Sequence, residues 1–374
     1  MNATKKTKAI SKTWLLLAAL VGVALSLTAT AYAAAPGITG GTGTTATFNL
    51  TAQPAHITQP DGQFIYSWGY GCSAAPSSFA PSAIAGATCS NMQVPGPTLI
   101  VTQGQSVTVH LTNGLPTAAG NTSILFPGFN VSATGGAPGL LTQEAAPGGT
   151  VTYTFTATTP GTRSYYSGTQ GDLQVEMGLY GAIIVLPSTI PAACTTGVHS
   201  SNLTAQTHWG ESDFRLAAAA YNHPGACYDR EYLFQFSEMD PRIHREAEEQ
   251  STRSCTGCMS VATEPYVPAY FMVNGRSMPD LMDPNYAAQY PHQPYNGNPH
   301  LHPGELYCCA LSARGVGSTR STSTATTSAS WPATGTSSSA RTPPARTWPA
   351  RCCSPPPPRP ARPWTGSTTG PGRG

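Results

Sequence analysis

The stretch "VPGPTLIVTQGQSVTVHLTN", residues 94–113, carries the clearest indication of the fold. Its second half alternates apolar and polar residues, so Val107, Val109 and Leu111 would lie on one face of a β-strand. An Asn-Gly dipeptide follows, which is typical of a tight turn between strands. The stretch therefore predicts a half-buried strand that ends in a turn.

Two later stretches repeat this organisation. The segment "GGTVTYTFTATTPGT", residues 148–162, alternates in the same way between two turn signals. The segment "GLYGAIIVLP", residues 178–187, is a continuous apolar run of the kind found in strands buried on both faces. Short strands separated by turns predict that residues 36–190 form a β sandwich or barrel.

Residues 191–306 show a looser pattern. Strands are predicted in "REYLFQFSEM", residues 230–239, and in "AYFMVNG", residues 269–275. A polar helix is predicted within "EMDPRIHREAEEQ", residues 238–250. We interpret this part as a second domain, although it shows no sequence repeat of the first.

The first 35 residues have the three parts of a signal peptide. Four lysines precede an apolar run that begins at Trp14, and the run ends in the small-residue stretch Ala31-Tyr32-Ala33. A membrane anchor is the alternative, but no basic stop signal follows the run. We expect a secreted or periplasmic protein without a membrane span after cleavage. Only 10% of the residues are charged and the net charge is +2, which argues against a nucleic-acid partner.

Cysteines in an exported chain are expected to form disulfide bonds. Cys72 with Cys89 and Cys194 with Cys227 are the pairings that we favour. The motif Cys255-x-x-Cys258 fits half a metal site or a redox pair, but no second such motif completes it. A structural bridge within a loop is the interpretation that we favour for it.

Several of these stretches resemble segments of the multicopper oxidases: "VPGPTLIVTQGQSVTVHLTN", a following Thr-Ser-Ile strand, "APGGTVTYTFTA", "GLYGAIIV" and, further on, "YFMVNGRSMPD" and "HPGE". The resemblance implies an all-β protein of Greek-key cupredoxin-like β sandwiches, with residues 36–190 as one complete domain and residues 191–306 as an incomplete second. It also implies copper as cofactor and oxidation of an unidentified small-molecule substrate coupled to dioxygen reduction. Imidazole and thiolate ligands suit copper in such sites.

The chain departs from the family where the first-domain ligands belong. Family members carry H-W-H-G after Thr-Ser-Ile, whereas this chain has Leu125-Phe126-Pro127-Gly128. Family members carry Y-H-S-H where this chain has Tyr165-Tyr166-Ser167-Gly168. We therefore assign no catalytic, cofactor-binding or metal-ligating residue, and expect a chain that binds no copper and is inactive. The alternative is a non-enzymatic cupredoxin-like binding or structural module of the cell envelope.

The remaining histidines and two glutamates give little indication of a site. His300 and His302 have the i, i+2 spacing of a metal-binding pair, but prolines flank them and we interpret them as solvated. Nothing in the sequence assigns a base's role to Glu144 or Glu176. Turn or surface positions rather than ligand positions are expected for the other histidines considered, which are His208, His223, His244 and His292.

Residues 307–374 differ in composition from the rest of the chain. Apart from Tyr307, Leu311 and Val316, they are all residues whose codons have G or C in the middle position. In a GC-rich gene this pattern indicates a shifted reading frame. In the other frame, residues 319–327 can encode "HPFHIHGNH", which is similar to a copper-binding H-P-x-H-x-H-G segment of the family.

A Ser/Thr/Pro-rich exported stalk is the alternative interpretation of this tail. We predict disorder from about residue 307, because large apolar residues are scarce there.

Overall fold

The computed structural model describes residues 35–197, 213–301 and 305–314. Strands dominate this part of the chain. They are β1 Gly37–Thr39, β2 Thr45–Thr58, β3 Phe64–Cys72, β4 Ser78–Ala80, β5 Leu99–Thr102, β6 Ser106–Asn113, β7 Ser132–Gly135, β8 Ala137–Pro138, β9 Gln143–Glu144, β10 Thr150–Thr156, β11 Gly161–Tyr166, β12 Tyr180–Leu186, β13 Arg230–Met239, β14 Tyr270–Val273 and β15 Tyr307–Arg314. The α-helices are α1 Gly171–Glu176 and α2 Pro241–Gln250, and short 3₁₀ turns cover Thr117–Ala119, Ala192–Cys194, Pro224–Ala226 and Asp280–Met282.

Two five-stranded sheets form a sandwich from the first half of the chain. One sheet has the strand order β11-β12-β5-β1-β4, and the other has the order β3-β2-β6-β10-β7. Neighbours β2 and β6 run parallel, as do β5 and β12, while β6 and β10 run antiparallel. The inner faces of the two sheets enclose the main hydrophobic core. The predicted all-β sandwich of the first domain is thereby confirmed.

The alternating stretches form the centre of this sandwich. In β6, Val107, Val109 and Leu111 are buried, as the period of two predicts. Tyr153 of β10 lies opposite Val109, and Phe155 lies opposite Val107. Residues directly opposite each other in paired strands point to the same face, so these side chains fill one layer of the core.

The later strands form a single three-stranded sheet with the order β14-β13-β15. Strand β13 occupies the ten residues predicted for it, and the helix predicted after it is α2. A complete sandwich needs two packed sheets, whereas this part has one sheet within the described residues. The expectation that residues 36–190 form a complete domain and residues 191–306 an incomplete one stays a prediction, and the single sheet is compatible with it.

The first eight residues of the low-complexity tail are ordered as β15. This strand runs parallel to β13, with Leu233 opposite Ala310. The prediction of disorder from about residue 307 is therefore wrong for residues 307–314. Strand pairing uses main-chain groups, so it does not require the large apolar residues that are scarce in the tail. Residues 315–374 and the predicted signal peptide up to residue 34 lie outside the described residues.

Helix α2 and the loop after it, residues 240–267, lie across the first sandwich, and we name them the strap. Ile243, Ala247 and Met259 of the strap are part of the main core. Backbone amides of the strap also donate to the first domain, from Gly257 to the Thr117 carbonyl over 3.0 Å and from Met259 to the Ala118 carbonyl over 2.9 Å. The strap is thus built into the first sandwich, although the sequence pattern assigned it to the second domain.

Six of the described cysteines form three disulfide bonds, at the expected pairs. Cys72 bonds to Cys89, and Cys194 bonds to Cys227. Cys255 and Cys258 also form a disulfide, which is compatible with a structural bridge within the strap. No helix among the described residues has the length and apolar character needed to cross a bilayer.

Candidate functional site

The two segments in which the resemblance places first-domain ligands lie side by side. We name residues 125–128 together with residues 165–168 the corner. The amide of Leu125 donates to the Tyr166 carbonyl over 2.7 Å, and the amide of Tyr166 donates to the Leu125 carbonyl over 3.3 Å. A Cβ atom at Gly168 would lie 2.8 Å from Cγ of Leu125. The fold therefore still brings the ligand positions of the two segments together.

The side chains at these positions do not fit copper. The histidines of the family would correspond to Leu125, Pro127, Tyr166 and Gly168. Leucine, proline and glycine side chains have no lone pair to donate, and the remaining phenol is not one of the imidazole or thiolate ligands that copper prefers. In residues 35–197, 213–301 and 305–314, His, Cys, Asp and Glu nowhere form a group of three or more suited to a metal ion.

Phe126 and Tyr165, which alternate with ligand positions in the corner, are aromatic and part of the main core. The ring of Phe126 lies 4.9 Å from that of Phe155 and 5.8 Å from that of Tyr165, measured between centroids. The Tyr165 hydroxyl donates to the Pro97 carbonyl over 2.7 Å. Burial raises the pKa of Tyr165 well above its ordinary value, so the phenol stays a neutral donor. These residues hold the sandwich together without contributing a reactive group.

Glu144 belongs to a polar network beside the corner. Its Oε1 accepts a hydrogen bond from the Thr169 hydroxyl over 2.8 Å, and its Oε2 accepts one from the Asn121 amide over 3.2 Å. The Thr169 and Ser123 hydroxyls are hydrogen-bonded to each other over 2.8 Å. Glu144 therefore connects loops of the first domain, which is a structural role.

Three of the histidines considered from the sequence have local structural contacts. Nδ1 of His223 accepts from the Gly225 amide over 2.9 Å and caps a turn, as expected for a turn residue. His292 is half-buried, with Nδ1 2.8 Å from the Met92 carbonyl. His300 is also half-buried, and its amide donates to the Tyr232 hydroxyl over 3.1 Å. The two others outside the strap, His208 and His302, lie outside the described residues.

His244 is not a surface residue, and that prediction is wrong. Only 1% of it is exposed, because it lies next to Ile243 on the face of α2 that packs against the sandwich. The buried residues of α2 also include Ala247 and Gln250, so the helical spacing from Ile243 was the available signal. Because most residues of α2 are polar, the sequence alone did not show which face of the helix is buried.

His244 meets Glu176 in the interior, and we name these two side chains and their contacts the seam. Nε2 of His244 lies 3.8 Å from Oε1 of Glu176. That Oε1 accepts from the Asp240 amide over 2.6 Å, and Oε2 accepts from the Tyr266 hydroxyl over 2.9 Å. Burial raises the pKa of Glu176 to about 7 and lowers the pKa of His244 to about 4. Both shifts favour the uncharged form of each group.

Part of the chain, including the corner, is similar to known proteins. Residues 75–189 match the multicopper oxidase family model. An L-ascorbate oxidase of Brassica rapa subsp. pekinensis is 37% identical over 100 residues, which are 25% of this chain and 16% of the relative. Laccase-1 of Botryotinia fuckeliana is 37% identical over 98 residues, which are 25% of this chain and 17% of the relative.

The chain thus spans less than a fifth of the length of these curated relatives. Among solved structures, a blue copper oxidase from Nitrosomonas europaea is similar, with 18% sequence identity and a TM-score of 0.41. That similarity covers 72% of this chain and 61% of the other.

Proposed function

We propose that the gene descends from an exported copper-dependent oxidase and that this chain is not itself catalytic, because residues 75–189 match the multicopper oxidase family model. In the ancestral activity, oxidation of a small molecule would be coupled to the reduction of dioxygen. The present chain would be secreted or periplasmic, and its first sandwich would serve as a copper-free module.

The replacement of the four ligand positions in the corner is the observation that carries this proposal. The backbones of residues 125 and 166 are paired, so the positions have kept their neighbours while losing their donors. Loss of the fold would have separated the segments, whereas loss of the site alone leaves them adjacent. The corner corresponds to the second case.

Copper content and oxygen consumption test the proposal. The exported chain is loaded with copper, dialysed, and analysed for copper per chain, and oxygen uptake is measured with phenolic substrates. We expect no stoichiometric copper and no oxygen uptake above the buffer rate. Bound copper in stoichiometric amount together with substrate-dependent oxygen uptake would overturn the proposal.

A variant with four histidines is the matched control for this experiment. It carries Leu125→His, Pro127→His, Tyr166→His and Gly168→His. We expect it to retain copper after dialysis, because the backbone already brings the positions together. Because the variant leaves the second domain and the tail unchanged, any copper that it retains is due to the four new side chains.

We further propose that the reading frame changes near the start of the low-complexity tail. The support is the codon pattern of residues 307–374 and the histidine-rich segment that residues 319–327 can encode in the other frame. From Tyr307 the other frame permits "VLLRAVSA", which is also suited to a strand at the place of β15. Resequencing the codons of residues 302–327 tests this proposal. An unchanged sequence, and a protein mass that matches it, would contradict a restored histidine-rich segment and would mean that the chain is a truncated or structural product.

The second candidate function is a binding or structural module of the cell envelope. It is favoured by the aromatic packing that has kept the sandwich intact around the altered corner. Fractionation of the cell envelope distinguishes the two candidate functions. Copper-free protein that stays with the envelope supports the binding or structural module, whereas copper-free, inactive protein in the soluble exported fraction supports an inactive descendant of an oxidase.

A further inference from the structure

We propose that Glu176 and His244 share one hydrogen bond and form a clasp that holds the strap on the first sandwich with nearly constant strength from acidic to neutral pH. Glu176 ends helix α1 of the first domain, and His244 lies in helix α2 of the strap. The clasp is independent of the copper chemistry discussed above. Its basis is an arrangement of buried groups that neither the family resemblance nor the corner requires.

The hydrogen bonds of His244 determine which of its ring nitrogens carries the proton. Nδ1 lies 2.5 Å from the main-chain carbonyl of Tyr66, and a carbonyl oxygen can only accept. Nδ1 is therefore the donor, and neutral His244 presents a lone pair at Nε2. Within the described residues Nε2 makes no hydrogen bond, although it is fully buried. An unpartnered buried acceptor is costly, so a donor facing it stabilises the fold.

Glu176 supplies this donor when its carboxyl group is protonated. Oε1 is the atom that faces Nε2, at 3.8 Å, and a shift of about one ångström would give an ordinary hydrogen bond. The carboxyl already has fixed donors in the Asp240 amide and the Tyr266 hydroxyl, which set its orientation. The proton then stays on Oε1 and is donated in a hydrogen bond to Nε2, so both groups remain uncharged.

The charged neighbours of the pair favour a protonated Glu176. The carboxylates of Asp240 and Glu238 raise the pKa of Glu176, while burial is the larger cause. Asp240 is itself paired with Arg242, whose Nη2 lies 3.5 Å from Oδ2. The titratable and charged groups contributed by the surrounding elements are Tyr66 of β3, Asp172 of α1, Glu238 of β13, and Asp240, Arg242 and Tyr266 of the strap.

The two pKa shifts have opposite effects on the pH dependence of strap attachment. Glu176 has its pKa raised from 4.5 to about 7, so its contribution is lost as the pH rises through that interval. His244 has its pKa lowered from 6.5 to about 4, so its contribution is lost as the pH falls through that interval. The intervals overlap almost completely, and the two dependences cancel while both residues are present.

Hydrogen exchange of the strap tests the clasp in the full exported chain. The amides of Gly257 and Met259 report strap opening, because they donate to carbonyls of the first domain. After correction for the intrinsic exchange rate at each pH, we expect their protection in the native chain to vary less than about fivefold between pH 4 and pH 8. The same amides are then followed in Glu176→Gln and in His244→Asn.

The two variants are expected to expose opposite pH dependences. Glu176→Gln keeps a donor toward Nε2 but cannot ionise, so protection should rise roughly 100-fold from pH 4 to pH 7. His244→Asn keeps a donor toward the Tyr66 carbonyl but lacks Nε2, so protection should fall roughly 100-fold from pH 4 to pH 8. Flat profiles in both variants would overturn the clasp.

A measurement on the native chain covers the case in which a variant does not fold. Nitrogen NMR of the imidazole reports the tautomer and the charge of His244. We expect the neutral ring with the proton on Nδ1 at pH 5.5, where an ordinary histidine is mostly charged. A charged His244 ring at that pH would overturn the proposal.

Discussion

The corner and the seam lie in the same sandwich and differ in the chemistry of their side chains. The corner is the place where the family resemblance predicts ionisable ligands, and its ligand positions hold Leu125, Pro127, Tyr166 and Gly168. The seam is a place where the sequence predicted only a surface residue, yet it holds a buried carboxyl and a buried imidazole. Imidazole groups are therefore missing where the family resemblance predicts them, and buried ionisable groups lie where the sequence pattern gave no indication of them.

This difference shows that fold positions and ligand positions respond to different constraints. In the corner, Phe126 and Tyr165 are buried and fill the core, so their replacement would cost stability. The ligand positions alternate with them and contribute less to the core, so they can change without loss of the fold. In the seam the ionisable groups Glu176 and His244 are themselves buried, so replacing either one would change the stability of the fold as well as the titration.

The largest expected effect tests this separation of roles within the corner. Phe126→Ala removes a ring that packs against Tyr153, Phe155 and Tyr165. We expect the free energy of unfolding to fall by about 3–5 kcal/mol, because a buried aromatic side chain leaves a cavity. Urea unfolding followed by near-ultraviolet circular dichroism measures the loss.

The neighbouring position provides the control for this comparison. Leu125 is only partly buried, so Leu125→Ala should lower the free energy of unfolding by about 1 kcal/mol. Equal losses in the two variants would mean that fold and ligand positions are not separable in the corner. A larger loss for Leu125→Ala would reverse the assignment of the two faces.

The sequence predicted the sandwich well because period-two alternation reports directly on which face of a strand is buried. Strands β6 and β10 follow that pattern, and their apolar residues are buried. The position of the strap could not be predicted in this way. Its few apolar residues, such as Ile243 and Met259, are too widely spaced to show which part of the molecule they contact.

The residues at the four ligand positions of the corner follow directly from the sequence. The seam could not be predicted, because Glu176 and His244 are far apart in the sequence and His244 lies in a mostly polar helix. A lone histidine in a polar helix is most often exposed, and only the tertiary contact identifies this one as buried. Strand β15 was missed for a related reason, since main-chain pairing has no strong signature in small residues.

The second prediction concerns the hydrogen bond between Tyr266 and Glu176. Tyr266→Phe removes a donor that lowers the pKa of Glu176, so that pKa should move further above 7. A buried carboxyl with a raised pKa contributes less to the free energy of unfolding as the pH rises. The variant is expected to lose more of this free energy at high pH than the native chain, because its pKa is higher. We expect a loss of about 2 kcal/mol in the free energy of unfolding at pH 8.5 and about 1 kcal/mol at pH 5.

A tyrosine outside the seam serves as the control for this pH dependence. The Tyr270 hydroxyl donates to the exposed carboxylate of Asp61 over 2.8 Å. Tyr270→Phe should therefore change the free energy of unfolding by the same amount at pH 5 and pH 8.5. If Tyr266→Phe behaved in the same way, Glu176 would not ionise in the folded chain over this range, and the pH argument would fail.

The smallest expected effect comes from a second His-Glu pair, between strand β2 and helix α2. Nε2 of His56 lies 2.9 Å from Oε1 of Glu248, and about half of each side chain is exposed, 47% and 45%. His56→Ala should change the free energy of unfolding by less than about 0.5 kcal/mol, because water and salt screen an exposed pair. Urea unfolding at low and high salt measures the change.

The shorter contact is thus expected to be the weaker one, since the 3.8 Å contact of His244 is buried and has no solvent to replace it. A loss above about 1.5 kcal/mol for His56→Ala would show that proximity, rather than burial, determines the contribution of such pairs in this protein.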